Sequence, residues 1–403
     1  MPLILYALGL AVFAQGTSEF MLSGLLPDIA RDLDVSIPTA GYLTSAFAVG
    51  MVVGAPLMAM ASMRWPRRRA LLAFLLTFLV VHVVGALTST YGVLLATRIV
   101  AALANAGFLA VALATATALV PTQARGRAAS ILVGGITLAC VTGVPGGALL
   151  GQLWGWRSAF WAVALLSVPA LFAVLKAVPN TETSAAPLGV RQELRALKDP
   201  RLLMTLSVGA LINGATFCAF TYLAPLIIDV TALSSAWVPG VLALFGLGSF
   251  LGVTVAGRFS DVRPWPLLCY GTIALGIGWA VFAWWANHLV VALGLVLILG
   301  ALSFAVGSTV IAQVLTAAHT APTLAGSYAT ASFNVGAALG PWFGGVAIAA
   351  TESYRSPLWV SAFLVVLALI AGGVAMARNT GGVKALRSGQ RDPSYTGEMH
   401  QRH

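Results

Sequence analysis

The chain has 403 residues, 59% of them hydrophobic and 8% charged, against roughly a quarter charged in a soluble domain. That composition excludes a water-facing globular surface. A net charge of +10 would raise nucleic acid as a partner in a soluble protein, but the basic residues here punctuate apolar stretches and no nucleic-acid partner is expected.

A bilayer core of about 30 Å needs about 20 apolar residues of helix. In chain order such runs fall at 3–29, 40–62, 70–88, 92–119, 130–153 and 157–178, then at 202–228, 236–257, 265–287, 289–316, 324–350 and 356–377. The first has no basic leader and holds Glu19, so it reads as a retained span and not as a cleaved signal. The reading is an all-α membrane protein of twelve transmembrane helices in two six-helix repeats. Residues 1–178 form the first bundle, 179–201 a polar linker, 202–377 the second bundle and 378–403 a disordered, basic cytoplasmic tail.

Charge sets the orientation. With the N-terminus in the cytoplasm, 18 Lys and Arg fall inside, three outside (Arg31, Arg157 and Arg355) and one, Arg98, within a span. The positive-inside rule then puts both termini in the cytoplasm of a cell-membrane protein. Cys140, Cys218 and Cys269 lie in apolar stretches without paired spacing and predict neither a disulfide nor a zinc site. No metal or other cofactor is expected. No G-x-x-x-x-G-K-[ST] loop is present, so ATP is not the expected energy source. His82 is deep in span 3 with no histidine or carboxylate four residues on, and reads as a packing residue.

The halves repeat. An offset of 198 lays Gly16 on Gly214, Pro27 on Pro225, Gly50 on Gly248, Gly54 on Gly252, Ser62 on Ser260, Pro66 on Pro264, and Gly146 and Gly147 on Gly344 and Gly345. Parallel six-span repeats are an architecture of secondary transporters.

Span 5 carries Gly135, Gly143, Pro145, Gly146, Gly147 and Gly151, echoed in span 11 by Gly336, Gly340, Pro341, Gly344 and Gly345. Small residues let helix backbones approach, and an interior proline frees a carbonyl and bends the helix. This pattern resembles the span 5 motif of the drug:proton antiporters of the major facilitator superfamily, where it goes with export. The loop from Ala59 through Met63, Pro66 and Arg67–Arg69 is similar to the superfamily's loop signature. It departs from that signature at the acidic position, Met63, so a charge-based latch between the halves is assigned to Asp261. Arg98, Asn105, Gly107 and Phe108 resemble the family's span 4 signature. The segments Thr17–Leu22, Leu103–Leu113, Gly143–Gly151 and Gly209–Phe217 together closely resemble the chloramphenicol exporters of actinobacteria.

The resemblance implies proton-driven efflux of a small neutral amphipathic drug such as chloramphenicol; the repeat and the single buried acid argue for alternating access, and a monomer is expected. Export of a sugar or metabolite stays open, and a membrane-embedded enzyme is the alternative from another class; the spans lack the catalytic side chains that it needs. It also implies one cavity between spans 1, 4, 7 and 10, with Glu19, Asn105, Phe108, Asn213, Phe217, Tyr222, Ser303 and Ser308 as candidate lining residues. Gly143, Pro145, Gly146, Gly147, Gly340, Pro341 and Asp261 are the candidates for gating and helix packing. Glu19, eight residues before Pro27, lies about 12 Å from the outer end at 1.5 Å per residue, and Arg98, six residues into span 4, about 9 Å. At similar depth, this acid and base are the candidates for proton coupling, since charges inside a membrane face the interior or pair.

Overall fold

In hydrocarbon a backbone must satisfy its own hydrogen bonds, and an apolar run does so as a helix. The computed structural model describes residues 2–62, 65–121, 125–178, 194–259, 264–318 and 325–389. Among them twelve helices are long and apolar enough to cross a membrane. Spans 1 to 6 are Leu3–Gly24, Ile37–Met58, Arg67–Leu87, Tyr91–Ala116, Gly134–Trp154 and Arg157–Ala177. Spans 7 to 12 are Pro200–Thr221, Ser235–Ala256, Pro264–Trp285, Leu289–Ala317, Gly326–Thr351 and Ser356–Val374. Met63, Arg64, most of the linker, Asp261 and residues 390–403 lie outside the described residues.

Two of the expected runs are not single helices. Span 1 is α-helical to Phe20, tightens into a 3-10 turn over Met21–Gly24 and resumes as Leu26–Asp32. Span 7 stops at Thr221 and resumes as Leu223–Asp229. Pro27 and Pro225 lack the N–H that the carbonyls four residues earlier require, so the ladder breaks just before each. The last helix runs on to Gly389, beyond the boundary at 377, because no proline follows Pro357 until Pro393.

The 198-residue offset holds in three dimensions. Spans 2 and 4 begin at Ile37 and Tyr91, and their partners at Ser235 and Leu289. Span 1 packs on 5 and 6, span 2 on 4, and span 3 on 4 and 6; spans 7, 8 and 9 make the same pairings with 11 and 12, with 10, and with 10 and 12. The two bundles join along span 2 with span 11 and span 5 with span 8.

The span 5 motif works as a ridge. Ala139, Gly143, Gly147 and Gly151 recur every four residues, so they share one face, and that face lies on Gly16, Thr17, Met21 and Leu25 of the first span and its continuation. A methyl group at Gly143 would overlap the Thr17 hydroxyl. In span 11, a methyl at Gly336 or Gly340 would overlap the carbonyl oxygens of Ala210 and Gly214 in span 7. Gly146 is a correction to the expected packing set. It lies off the four-residue face, and nothing stands within 4 Å of where its side chain would begin. Beside Pro145 the helix opens into a π turn over Ala139–Gly143, in which the Val144 N–H donates to Ala139 five residues back. Where the sequence predicts a bend, the structure shows this π turn, which faces span 1 and span 8.

Candidate functional site

The two bundles close on each other at the end opposite the termini, and Tyr222 is the seal. Its ring is 1% exposed and its hydroxyl donates to the Pro341 carbonyl at 2.9 Å. Gly41 of span 2 and Gly344 and Gly345 of span 11 surround the ring, and a methyl at Gly345 would stand 2.7 Å from the hydroxyl. Gln152 adds a second link between halves by donating to the Ser235 carbonyl. Gly41→Val, whose branched side chain overlaps the Tyr222 ring, is expected to wedge this end open. With a cysteine at Ala48 as reporter in a background lacking the three native cysteines, labelling by a membrane-impermeant maleimide from that side rises several-fold. Unchanged labelling contradicts the seal.

At mid-membrane, Arg98 is 1% exposed and Ser18 fully buried. Arg98 donates from one terminal nitrogen to Ser18 Oγ at 2.8 Å and from the other to the Ser18 carbonyl at 2.7 Å. Its guanidinium lies over the Phe47 ring, 4.4 Å from the centroid, and its Nε has no hydrogen-bond partner. The arginine therefore holds the residue next to Glu19, at the common depth read from the sequence. Glu19 itself is half-buried and feels the Arg98 charge, but the two form no ion pair. Among the described residues the ion pairs are Asp28 with Arg31 and Asp32 with Arg157. The second lies at the closed end, where the hydrogen bond from Arg157 holds the Asp32 carboxyl below the usual carboxylate range.

His82, read from the sequence as packing, is hydrogen-bonded at both nitrogens. Its Nε2 meets Ser18 Oγ at 2.6 Å and its Nδ1 meets the Phe78 carbonyl at 2.7 Å. Phe78 and Phe160 flank the ring at 4.1 and 5.8 Å.

The other candidates divide. Phe217 packs with Phe20 at 5.6 Å between centroids and with Ala48, Ala337 and Ala338 at the junction of the halves. Asn213 is partly buried and donates to the Phe333 carbonyl at 2.7 Å. Asn105 is buried against Met51 Sδ at 3.5 Å. Ser303 is buried with its hydroxyl unpaired, and Ser308 donates to Ala305 at 3.1 Å. Phe108 is a correction: it is fully buried in the core of the first bundle with Phe74 and Ala112 and lines no open space in this conformation. Tyr222 belongs to the seal. A cavity of about 800 Å³ opens at the closed end among Pro27, Asp28, Asp32, Gln152, Trp156 and Ile228, and none of the eight candidates lines it.

Across the repeat the chemistry is one-sided. Adding 198 to Ser18, Glu19, His82 and Arg98 gives Thr216, Phe217, Ala280 and Val296. The first bundle thus carries a buried charged network where the second carries an apolar, aromatic wall, continued by Phe220 and Phe245 at 4.7 Å.

Two parallel six-helix repeats around one mid-membrane acid are the build of a secondary transporter. Comparison with known proteins agrees. The chain belongs to the Major Facilitator Superfamily, whose profile matches residues 8–333, and it is a multi-pass membrane transporter, not an enzyme. It is similar to a chloramphenicol resistance protein of Streptomyces lividans, 56% identical over 373 residues, or 92% of this chain and 95% of that protein. It is also similar to the inner membrane transport protein YdhP of Escherichia coli (strain K12), 34% identical over 377 residues, 92% and 94% of the two chains. Among solved structures it matches a bacterial homologue of the human lysosomal transporter Spinster, in an inward-facing and unoccupied conformation. That match has a TM-score of 0.76 at 19% identity and covers 92% of this chain and 96% of the other.

Proposed function

We propose that the protein exports a small neutral amphipathic drug, chloramphenicol first, in exchange for protons, with both termini in the cytoplasm. The observation that carries the proton part is the half-buried Glu19, set beside an arginine that is already committed to Ser18. Because Arg98 keeps Nε unpaired, it has a donor left for the carboxylate, so Glu19 has two settings, apart from the arginine or against it. An opposite charge favours the ionised form, and closing that separation releases a proton while opening it takes one up. Similarity to a chloramphenicol resistance protein supports the drug, as does the wall of Phe20, Phe217 and Phe220 beside the acid. Apolar pockets with a few placed polar groups suit such compounds.

On this orientation the sealed end is the outer face, and drug enters from the cytoplasm or inner leaflet. Parting Tyr222 from Gly41 and Gly345 then exposes Glu19 to the outside, where a proton replaces the drug. The test is a drug-sensitive bacterium expressing the chain, together with inside-out vesicles. Raised resistance to chloramphenicol, and drug uptake that requires an inside-acid pH difference, are expected. Resistance confined to quaternary ammonium dyes overturns the substrate, and export of a sugar without chloramphenicol transport favours the metabolite reading.

A further inference from the structure

With the imidazole neutral, the hydrogen bonds around Ser18 can be assigned in only one way. The Phe78 carbonyl only accepts, so His82 Nδ1 carries the proton and donates to it at 2.7 Å. With that tautomer Nε2 is an acceptor, and the partner 2.6 Å away, the Ser18 hydroxyl, donates to it. The hydroxyl's lone pairs are then turned to Arg98, whose nitrogen lies at 2.8 Å. The chain Arg98 to Ser18 to His82 to Phe78 runs in one direction, and each residue in it is 1% exposed or less. Remove the Nε2 acceptor and the serine proton has no fixed direction; the hydroxyl is then as free to point toward Arg98 as away from it.

We infer that His82 is a positioning residue for proton coupling: through Ser18 it holds the Arg98 guanidinium away from Glu19. Three spans meet in that function, since His82 is on span 3, Ser18 on span 1 and Arg98 on span 4. The phenylalanines on either side keep the imidazole in place, and the second repeat, which has Ala280 and Val296 at the matching positions, has no such device. The inference rests on the reading that Glu19 takes up the coupled proton.

Its test is the pH at which drug–proton exchange in reconstituted vesicles is half-maximal. His82→Phe keeps a ring between Phe78 and Phe160 but cannot accept from Ser18, so the bond from Arg98 to Ser18 Oγ loosens and the guanidinium, held then by the Ser18 carbonyl alone, can turn toward the carboxylate. An opposite charge brought close to a carboxyl lowers its proton affinity by one unit or more, so the half-maximal pH is expected to fall by about one unit. Ser18→Ala, which leaves the histidine in place, moves it in the same direction. The double variant moves it no further than the larger single change, because the two residues act through one bond. His82→Gln, with an amide oxygen able to accept from Ser18, stays within a few tenths of a unit of the parent. An unmoved midpoint in folded His82→Phe overturns the inference, as do fully additive shifts. Where His82→Phe does not fold, an unmoved midpoint in Ser18→Ala does the same. Glu19→Gln separates the two readings: if its exchange keeps the parental pH dependence, the coupling role of Glu19 fails whatever His82 does. If it loses that dependence while the serine and histidine variants leave the midpoint unmoved, the positioning role alone fails.

Discussion

Alanine in place of Gly340 is expected to remove most of the folded transporter, whereas alanine in place of Gly146 is expected to leave it unchanged. The added methyl at Gly340 falls on the Gly214 carbonyl oxygen and stands 3.1 Å from the Cys218 nitrogen. Both are backbone atoms of span 7, and no rotamer change moves them aside. Span 11 would have to back away from span 7 along a contact that Gly336 and Gly344 also hold tight. Overpacking a close contact costs about 1–3 kcal/mol and sometimes more, a large share of a total stability of about 5–15 kcal/mol. The same shift would pull Pro341 off the Tyr222 hydroxyl, so transport is lost in whatever protein folds. At Gly146 a methyl meets nothing, and the effect is expected to stay within about 0.5 kcal/mol. Monodisperse yield in detergent and the thermal unfolding midpoint check both. A Gly340→Ala protein with parental yield and midpoint contradicts the account.

Spans and repeat were legible in the sequence because the thickness of the bilayer dictates them: each run had to be about 20 residues of helix, and the 198-residue offset fell on glycines and prolines whose backbone duties both halves share. Glu19 and Arg98 stood out for the same reason, as charges where charge is costly. His82 did not. Its partner is not on its own helix at i+4 but is Ser18, 64 residues away, and a serine carries no signal in an apolar run. The direction of the Phe108 side chain was not legible, because composition does not say which way a side chain points. It turns into the bundle core with Phe74, while Phe20, one residue from the acid, makes the contact to Phe217. The place of the large cavity depends on which end is shut, and that is a property of the conformation and not of any residue type. The motif glycines were legible as a set but not one by one: the four-residue register keeps Gly143 and Gly147 on the contact face and leaves Gly146 outside it.

Glu19→Gln is expected to leave a carrier that moves drug only down its gradient. Glutamine keeps the size and the hydrogen-bonding reach of the glutamate but has no proton to exchange at any working pH. The contacts that set the local structure do not involve the carboxylate, since Arg98 is fixed to Ser18 by two bonds and Phe20 to Phe217, so folding and the seal at Tyr222 survive. With one proton exchanged for one neutral drug molecule, a pH difference of one unit sustains about a tenfold drug gradient, worth about 1.4 kcal/mol. In vesicles the parent should approach that ratio, and the variant is expected to settle at about one while still exchanging labelled for unlabelled drug. Arg98→Lys makes the companion test. A lysine keeps the charge but not the planar fork that grips Ser18 Oγ and its carbonyl together, so accumulation persists with a displaced pH dependence. A Glu19→Gln carrier that still concentrates drug tenfold under the imposed pH difference removes Glu19 from the coupling step. The described membrane spans then hold no other acidic side chain to take its place.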